Sequence, residues 1–89
     1  MAIEVRYDHT PNPNAVKFTA NQVVFEGTGS YSFKQGEDAN HPLAAALLDI
    51  EGVDNVFGYQ DFVTVNKKAD ADWDTLIPNV KEAFQKIYG

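Results

Sequence analysis

Thr10-Pro11-Asn12-Pro13-Asn14-Ala15-Val16-Lys17-Phe18 sets two prolines and two asparagines at alternate positions and then runs straight into Ala-Val-Lys-Phe. Proline fixes φ and biases the residue before it toward extended backbone, while asparagine can bond its own backbone two residues on. The path from Thr10 to Asn14 therefore has few conformations to lose on folding and reads as a defined turn. Beyond it, Val16 and Phe18 point one way and Ala15, Lys17 and Thr19 the other, which predicts a strand over about residues 15–19. Before it, Ile3, Val5 and Tyr7 alternate with Glu4, Arg6 and Asp8, the period of a half-buried strand.

Working outward, residues 23–25 and 31–33 read as two short strands joined into a hairpin through Glu26-Gly27-Thr28-Gly29-Ser30. Asn40 or His41 is placed to cap a helix with Pro42 in its first turn. Leu43, Ala46, Leu47 and Ile50 follow at helical spacing, and Gly52 is placed to end it. Residues 53–58 and 61–67 predict a second hairpin, with Phe62 and Thr64 on one side and Val63 and Val65 on the other. Trp73, Leu76, Ile77, Val80, Phe84 and Ile87 form one stripe of a final helix. Pro78 would remove a backbone bond from a helix capped at Asp72, so the sequence predicts either a single turn over residues 73–76 or a cap nearer Thr75. The order β-β-β-β-α-β-β-α, with some strands short, gives an α+β, two-layer fold: a mostly antiparallel sheet of four to five strands with two helices on one face. At 89 residues and 44% hydrophobic content, one domain over residues 1–89 is expected.

Seven Lys and Arg stand against thirteen Asp and Glu, a net charge of −6, which works against binding a phosphate backbone and argues against nucleic acid as a partner. No apolar run approaches the roughly 20 residues that span a bilayer, and Met-Ala-Ile-Glu-Val-Arg carries neither a basic leader nor an apolar signal core. A cytoplasmic protein without a membrane partner is expected. The cysteine count is zero, which removes disulfides, thiol nucleophiles, thiolate zinc sites and cysteine ligands for a cluster.

The chemical motifs mostly fail on inspection. Asp70, Asp72 and Asp74 resemble the opening of a calcium loop, but Thr75 stands where that loop needs glycine and Glu82 comes one residue late. Acidic residues at a helix N-terminus explain the run through the macrodipole and capping. Gly27-Thr28-Gly29-Ser30 lacks the lysine and the spacing of a phosphate-cradling loop. His9 and His41, with Asp8, Glu37 and Asp38 nearby in sequence, leave open an iron or zinc site of mixed nitrogen and oxygen ligands. Both flank turns, where a solvated imidazole or a capping role is the commoner arrangement. Ser30 and Ser32 have no nucleophile-elbow context and no evident base. No catalytic residue and no bound cofactor are predicted, with iron the one cofactor left open.

One constellation follows from strand parity. If the helices cover the face carrying Ile3, Val5, Val16, Phe18, Val63 and Val65, then Arg6, Lys17, Phe62 and Thr64, with Lys34, fall on the opposite, open face. An acidic protein would there present cations around an aromatic anchor, which suits an acidic peptide or protein patch.

Thr10 to Phe18, Pro42-Leu43-Ala44 through Ile50-Glu51-Gly52-Val53, and Val56-Phe57-Gly58 with Asp61-Phe62-Val63-Thr64-Val65 together resemble the N-terminal domain of the Nfu/NifU scaffold family. Asp72-Trp73, with Leu76 and Pro78 after it, resembles the start of that family's last helix. In the family a second domain with a Cys-x-x-Cys pair usually follows and holds an iron-sulfur cluster; no such pair precedes Gly89 here, and the chain reads as a stand-alone form. The resemblance implies an accessory or interaction role near iron-sulfur cluster assembly, docking cluster carriers or recipients without ligating a cluster. It carries over no catalytic residue. Arg6, Asn12, Asn14, Lys17, Asp61 and Phe62 are the candidate partner-binding or turn determinants, and His9 and His41 the metal candidates of the rival, iron-binding reading.

Overall fold

A computed structural model describes residues 3–27, 29–36, 39 and 41–88. The elements run β1 (Val5–His9), β2 (Ala15–Ala20), β3 (Tyr31–Lys34), α1 (Pro42–Leu48), β4 (Val53–Tyr59), β5 (Phe62–Lys67) and α2 (Trp73–Tyr88). All five strands join one antiparallel sheet in the order β1-β2-β5-β4-β3. This is the two-layer α+β architecture that the sequence predicts. β2 and β5, the two strands with the clearest alternation, lie side by side near its middle.

The Thr10–Asn14 segment is the turn it was expected to be, and its polar groups close on one another. The Thr10 hydroxyl accepts from the Asn12 N–H at 3.1 Å and donates to the carbonyls of Asn12 and Ala15, each at 3.0 Å. Asn12 Oδ1 accepts from the Asn14 N–H at 2.9 Å, the local bond that makes asparagine a turn residue. The last helix completes the structure from outside, for Trp73 Nε1 donates to the Pro13 carbonyl at 3.0 Å.

Core residues come from both layers. Val16, Phe18, Val63, Val65 and Val56 on the sheet meet Leu43 and Leu47 of α1 and Leu76, Val80 and Phe84 of α2, all at 1% exposure or less. Helix α1 packs on β4 and on α2. Helix α2 lies toward β1 and β2, with Trp73 6.5 Å from the Phe18 ring and Gln85 donating to the Ile3 carbonyl.

Three local expectations are corrected, and a fourth is met in position only. Residues 23–25 form no strand: Phe25 makes one isolated bridge, to Gln60, while β3 pairs with β4. The hairpin therefore does not exist; its connection includes Thr28, which lies outside the described residues. Phe25 is fully buried over Gly58, and that ring takes the space a side chain at 58 would occupy. Helix α1 ends at Leu48 with Asp49 as its C-cap, three residues before Gly52, whose φ of +99° serves the following turn into β4.

Pro78 neither starts nor breaks α2. The Asp72 carbonyl accepts from the Thr75 and Leu76 N–H groups and its Oδ1 accepts from the Asp74 N–H at 3.0 Å, so Asp72 is the cap and Thr75 is inside the helix. Pro78 and Asp74 are both exposed, so the carbonyl that loses its partner is on the solvent side, while Leu76, Val80 and Phe84 keep the helix on the core. Finally, His41 occupies the N-cap position of α1 without any side-chain cap bond; Asn40 lies outside the described residues.

Candidate functional site

The register fixes which side chains share a face. Arg6, Thr19, Phe62 and Tyr59 stand abreast across β1, β2, β5 and β4. The next row on the same face is Asp8, Lys17, Thr64, Phe57 and Ser32, and Lys34 follows opposite Asn55. The intervening rows carry the buried Val16, Phe18, Val63 and Val65. Arg6, Lys17, Phe62, Thr64 and Lys34 thus share the side of the sheet away from both helices, as strand parity predicts.

At its centre Lys17 places its ammonium 4.5 Å from the middle of the Phe62 ring, a cation–π contact. Phe57 and Tyr59 flank the same ring, with centroids 6.4 and 6.2 Å away. Phe57 is 40% exposed, so the aromatic row is open to solvent although β4 and β5 are central strands. Arg6 and Asp8, both exposed, edge it on β1. A planar apolar patch ringed by charge is a shape suited to another protein surface.

Phe57 and Tyr59 were not predicted as site residues. A register shift between Val53 and Asn55 explains why. Counting by twos from the buried Val53 assigns Phe57 to the core; the irregularity reverses the phase, so Val56 turns inward and Phe57 outward. The readable signal was the spacing of three between Val53 and Val56, which a flat strand with one buried face would not use.

The remaining candidates lie apart. Asn12 and Asn14 sit in the β1–β2 turn, where Asn14 Oδ1 also accepts from Lys67 Nζ at 3.1 Å, joining the turn to the end of β5. Asp61 is at the other end of the sheet, exposed, with its carbonyl accepting from the Ala20 N–H at 2.7 Å. The two histidines are likewise separated. His9 is exposed beside Val16, its ring 6.0 Å from Tyr7 on the helix side of β1, whereas Asp8 points to the opposite face. His41 is at the Gln60 end: its ring stacks on Phe25 at 4.4 Å, its Nε2 lies 2.8 Å from the Val24 carbonyl, and its buried Nδ1 has no partner among the described residues. Its ring is not free in solvent and makes no cap bond, because Phe25 and Val24 hold it against the core. Among the described residues no three His, Asp or Glu side chains come together in a way that could hold a metal ion; Glu37 and Asp38 lie outside them.

Two open-sided clefts flank α2 on the other layer. One, of about 280 Å³, is lined by Asp49, Glu51, Glu82 and Lys86 among others; the second, of about 430 Å³, by Glu51, Lys68, Asp70, Asp72 and Asn79. Neither has the enclosed apolar walls of a small-molecule site. At the far end of α2, the Tyr88 hydroxyl donates to the Val24 carbonyl at 3.1 Å, and burial, with Glu26 nearby, raises its pKa above the usual phenol value.

The family described as scaffold protein Nfu/NifU N-terminal matches residues 5–89. The chain belongs to that family. A NifU-like protein of Schizosaccharomyces pombe is 42% identical over 81 residues, which cover 89% of this chain and 31% of that protein. Mitochondrial NifU-like protein 5 of Arabidopsis thaliana is 38% identical over 94% of this chain and 30% of its own. The chain thus spans about a third of the length of these curated relatives. Among solved structures, a Staphylococcus aureus protein superposes with a TM-score of 0.81 at 33% identity, covering 94% of this chain and 99% of that one. A NifU-like protein of Saccharomyces cerevisiae gives 0.83 at 29% identity, covering 99% and 82%. These relatives link the family to iron-sulfur cluster scaffolding, in the words of the NFU1 iron-sulfur cluster scaffold homolog of Drosophila erecta, 38% identical over 77 residues.

The same names overturn the cytoplasmic expectation, since the Arabidopsis and Drosophila relatives are mitochondrial proteins. The N-terminal residues on which that expectation rested are no guide to location in a chain that corresponds to a third of its relatives.

Proposed function

We propose that this domain is a non-enzymatic docking module of iron-sulfur cluster assembly, engaging cluster carriers or recipients through its open sheet face. The carrying observation is the Lys17–Phe62 contact inside the Phe57, Tyr59 and Phe62 row: an exposed aromatic surface with cations on a protein of net charge −6. Such a surface selects an acidic partner patch by charge and anchors it by apolar contact. The 89 residues contain no cysteine, so on this reading any thiolate ligands for a cluster lie outside this stretch of sequence.

The test is capture from an anaerobic lysate with the wild-type chain beside a folded Arg6→Ala, Lys17→Ala, Phe62→Ala variant. Iron-sulfur assembly or recipient proteins are expected with the wild type and lost from the variant. The same proteins recovered equally by both would refute the assignment to this face.

A further inference from the structure

We infer that the free edge of β1 is a self-association site, at which a second copy of this chain pairs antiparallel about Tyr7 to continue the sheet. β1 is an edge strand of five residues, four of them exposed. Its backbone orientation follows from neighbouring bonds. The Asn21 N–H donates to the Glu4 carbonyl at 3.0 Å, and the register places Val5 opposite Ala20, so Glu4, Arg6 and Asp8 direct their backbone groups to β2. The Ala20 N–H donates to Asp61 on the other side, which gives β2 the matching phase. The N–H and C=O groups of Val5, Tyr7 and His9 therefore point outward, and no bond to them is found among the described residues. Such an edge is a template for another strand.

Charge selects the occupant. Antiparallel pairing about Tyr7 sets Tyr7 against the partner's Tyr7, Val5 against the partner's His9, and Arg6 against the partner's Asp8. The outward groups of Val5, Tyr7 and His9 become the bonded pairs. Arg6 and Asp8 fall at the intervening non-bonded positions, where opposite side chains approach most closely. The order Arg-Tyr-Asp is thus self-complementary: each two-fold pairing makes the same opposite-charge contact twice. Charges normally protect an edge from pairing, but here their signs invite a second copy in one register. Tyr7 is 41% exposed, with Lys81 5.0 Å from its ring, so its outer surface is free for the partner's Tyr7. A two-fold axis normal to the sheet keeps both helix layers on one side and merges the two open faces.

Sedimentation velocity of the 89-residue chain over a concentration series at low salt tests this. A reversible dimer is expected, and Arg6→Asp should weaken it on the order of tenfold or more by placing like charges opposite each other twice. The double variant R6D/D8R restores complementarity and should recover the dimer. Recovery is the decisive readout, since loss alone would follow from any damage to β1. Hydrogen exchange of the Val5, Tyr7 and His9 amides should slow as concentration rises. A wild type that stays monomeric throughout overturns the inference. So does a dimer unchanged by Arg6→Asp, or lost in Arg6→Asp and not recovered by the swap. The swap also removes Arg6 from the open face, so a dimer that persists while lysate capture fails separates this edge from the docking surface.

Discussion

The two faces of the β2–β5 pair are built from alternate residues of the same strands and have opposite physics. Phe18 and Val63 are fully buried in the core, while their neighbours Lys17 and Phe62 meet each other on the open side. One face is fixed by volume, because a packed interior has no slack. The other carries charge and aromatic rings that we propose meet a partner, and folding asks little of it. Stability and recognition should therefore be separable by mutation within a span of two residues.

The largest expected effect is on the covered side. Phe18→Ala removes a fully buried ring between Tyr7 and Trp73 and should cost about 3–5 kcal/mol, a large share of the stability of a domain this size. Chemical denaturation would measure it. Gly58→Ala probes the same layer from the opposite direction: the added methyl would fall within the Phe25 ring, and a loss of about 1–3 kcal/mol is expected from overpacking. On the open side, Phe62→Ala should lower stability by no more than about 1 kcal/mol, the scale of a cross-strand pair, while abolishing partner capture. A loss comparable to that of Phe18→Ala would erase the distinction between the faces.

The smallest effect concerns pH. Tyr88 has its folded pKa raised by burial above its unfolded value, so its contribution is fully present below about pH 10 and is lost as pH climbs through the range toward the folded pKa. Melting temperature should fall at alkaline pH, and Tyr88→Phe should flatten that part of the profile. It also removes the bond to the Val24 carbonyl, a loss of about 1 kcal/mol at neutral pH.

The sequence was most informative where one local rule acted alone. Alternation in residues 3–8, 15–19 and 62–65 gave the strand faces, and with them the shared side of Arg6, Lys17 and Phe62 that the register shows. It was least informative where two rules competed. The β4 irregularity reversed the phase of Phe57, and Pro78 suggested a break that exposure of Asp74 and Pro78 makes tolerable. Residues 23–25 have strand propensity but spend it on burying Phe25 over Gly58, a demand of tertiary packing that no window of sequence contains.

The pairing of β2 with β5 brings together strands from opposite ends of the chain, on either side of β3, α1 and β4. A long loop must close before this central ladder gains any bond, so its entropic cost precedes its reward. Cutting the chain in the α1–β4 turn would part β2 from β5 and β3 from β4, so the two fragments are expected to rebuild the full sheet only on meeting. Folding speed should thus depend on how readily the middle of the chain bends back, more than on the strength of the turn at Thr10–Asn14.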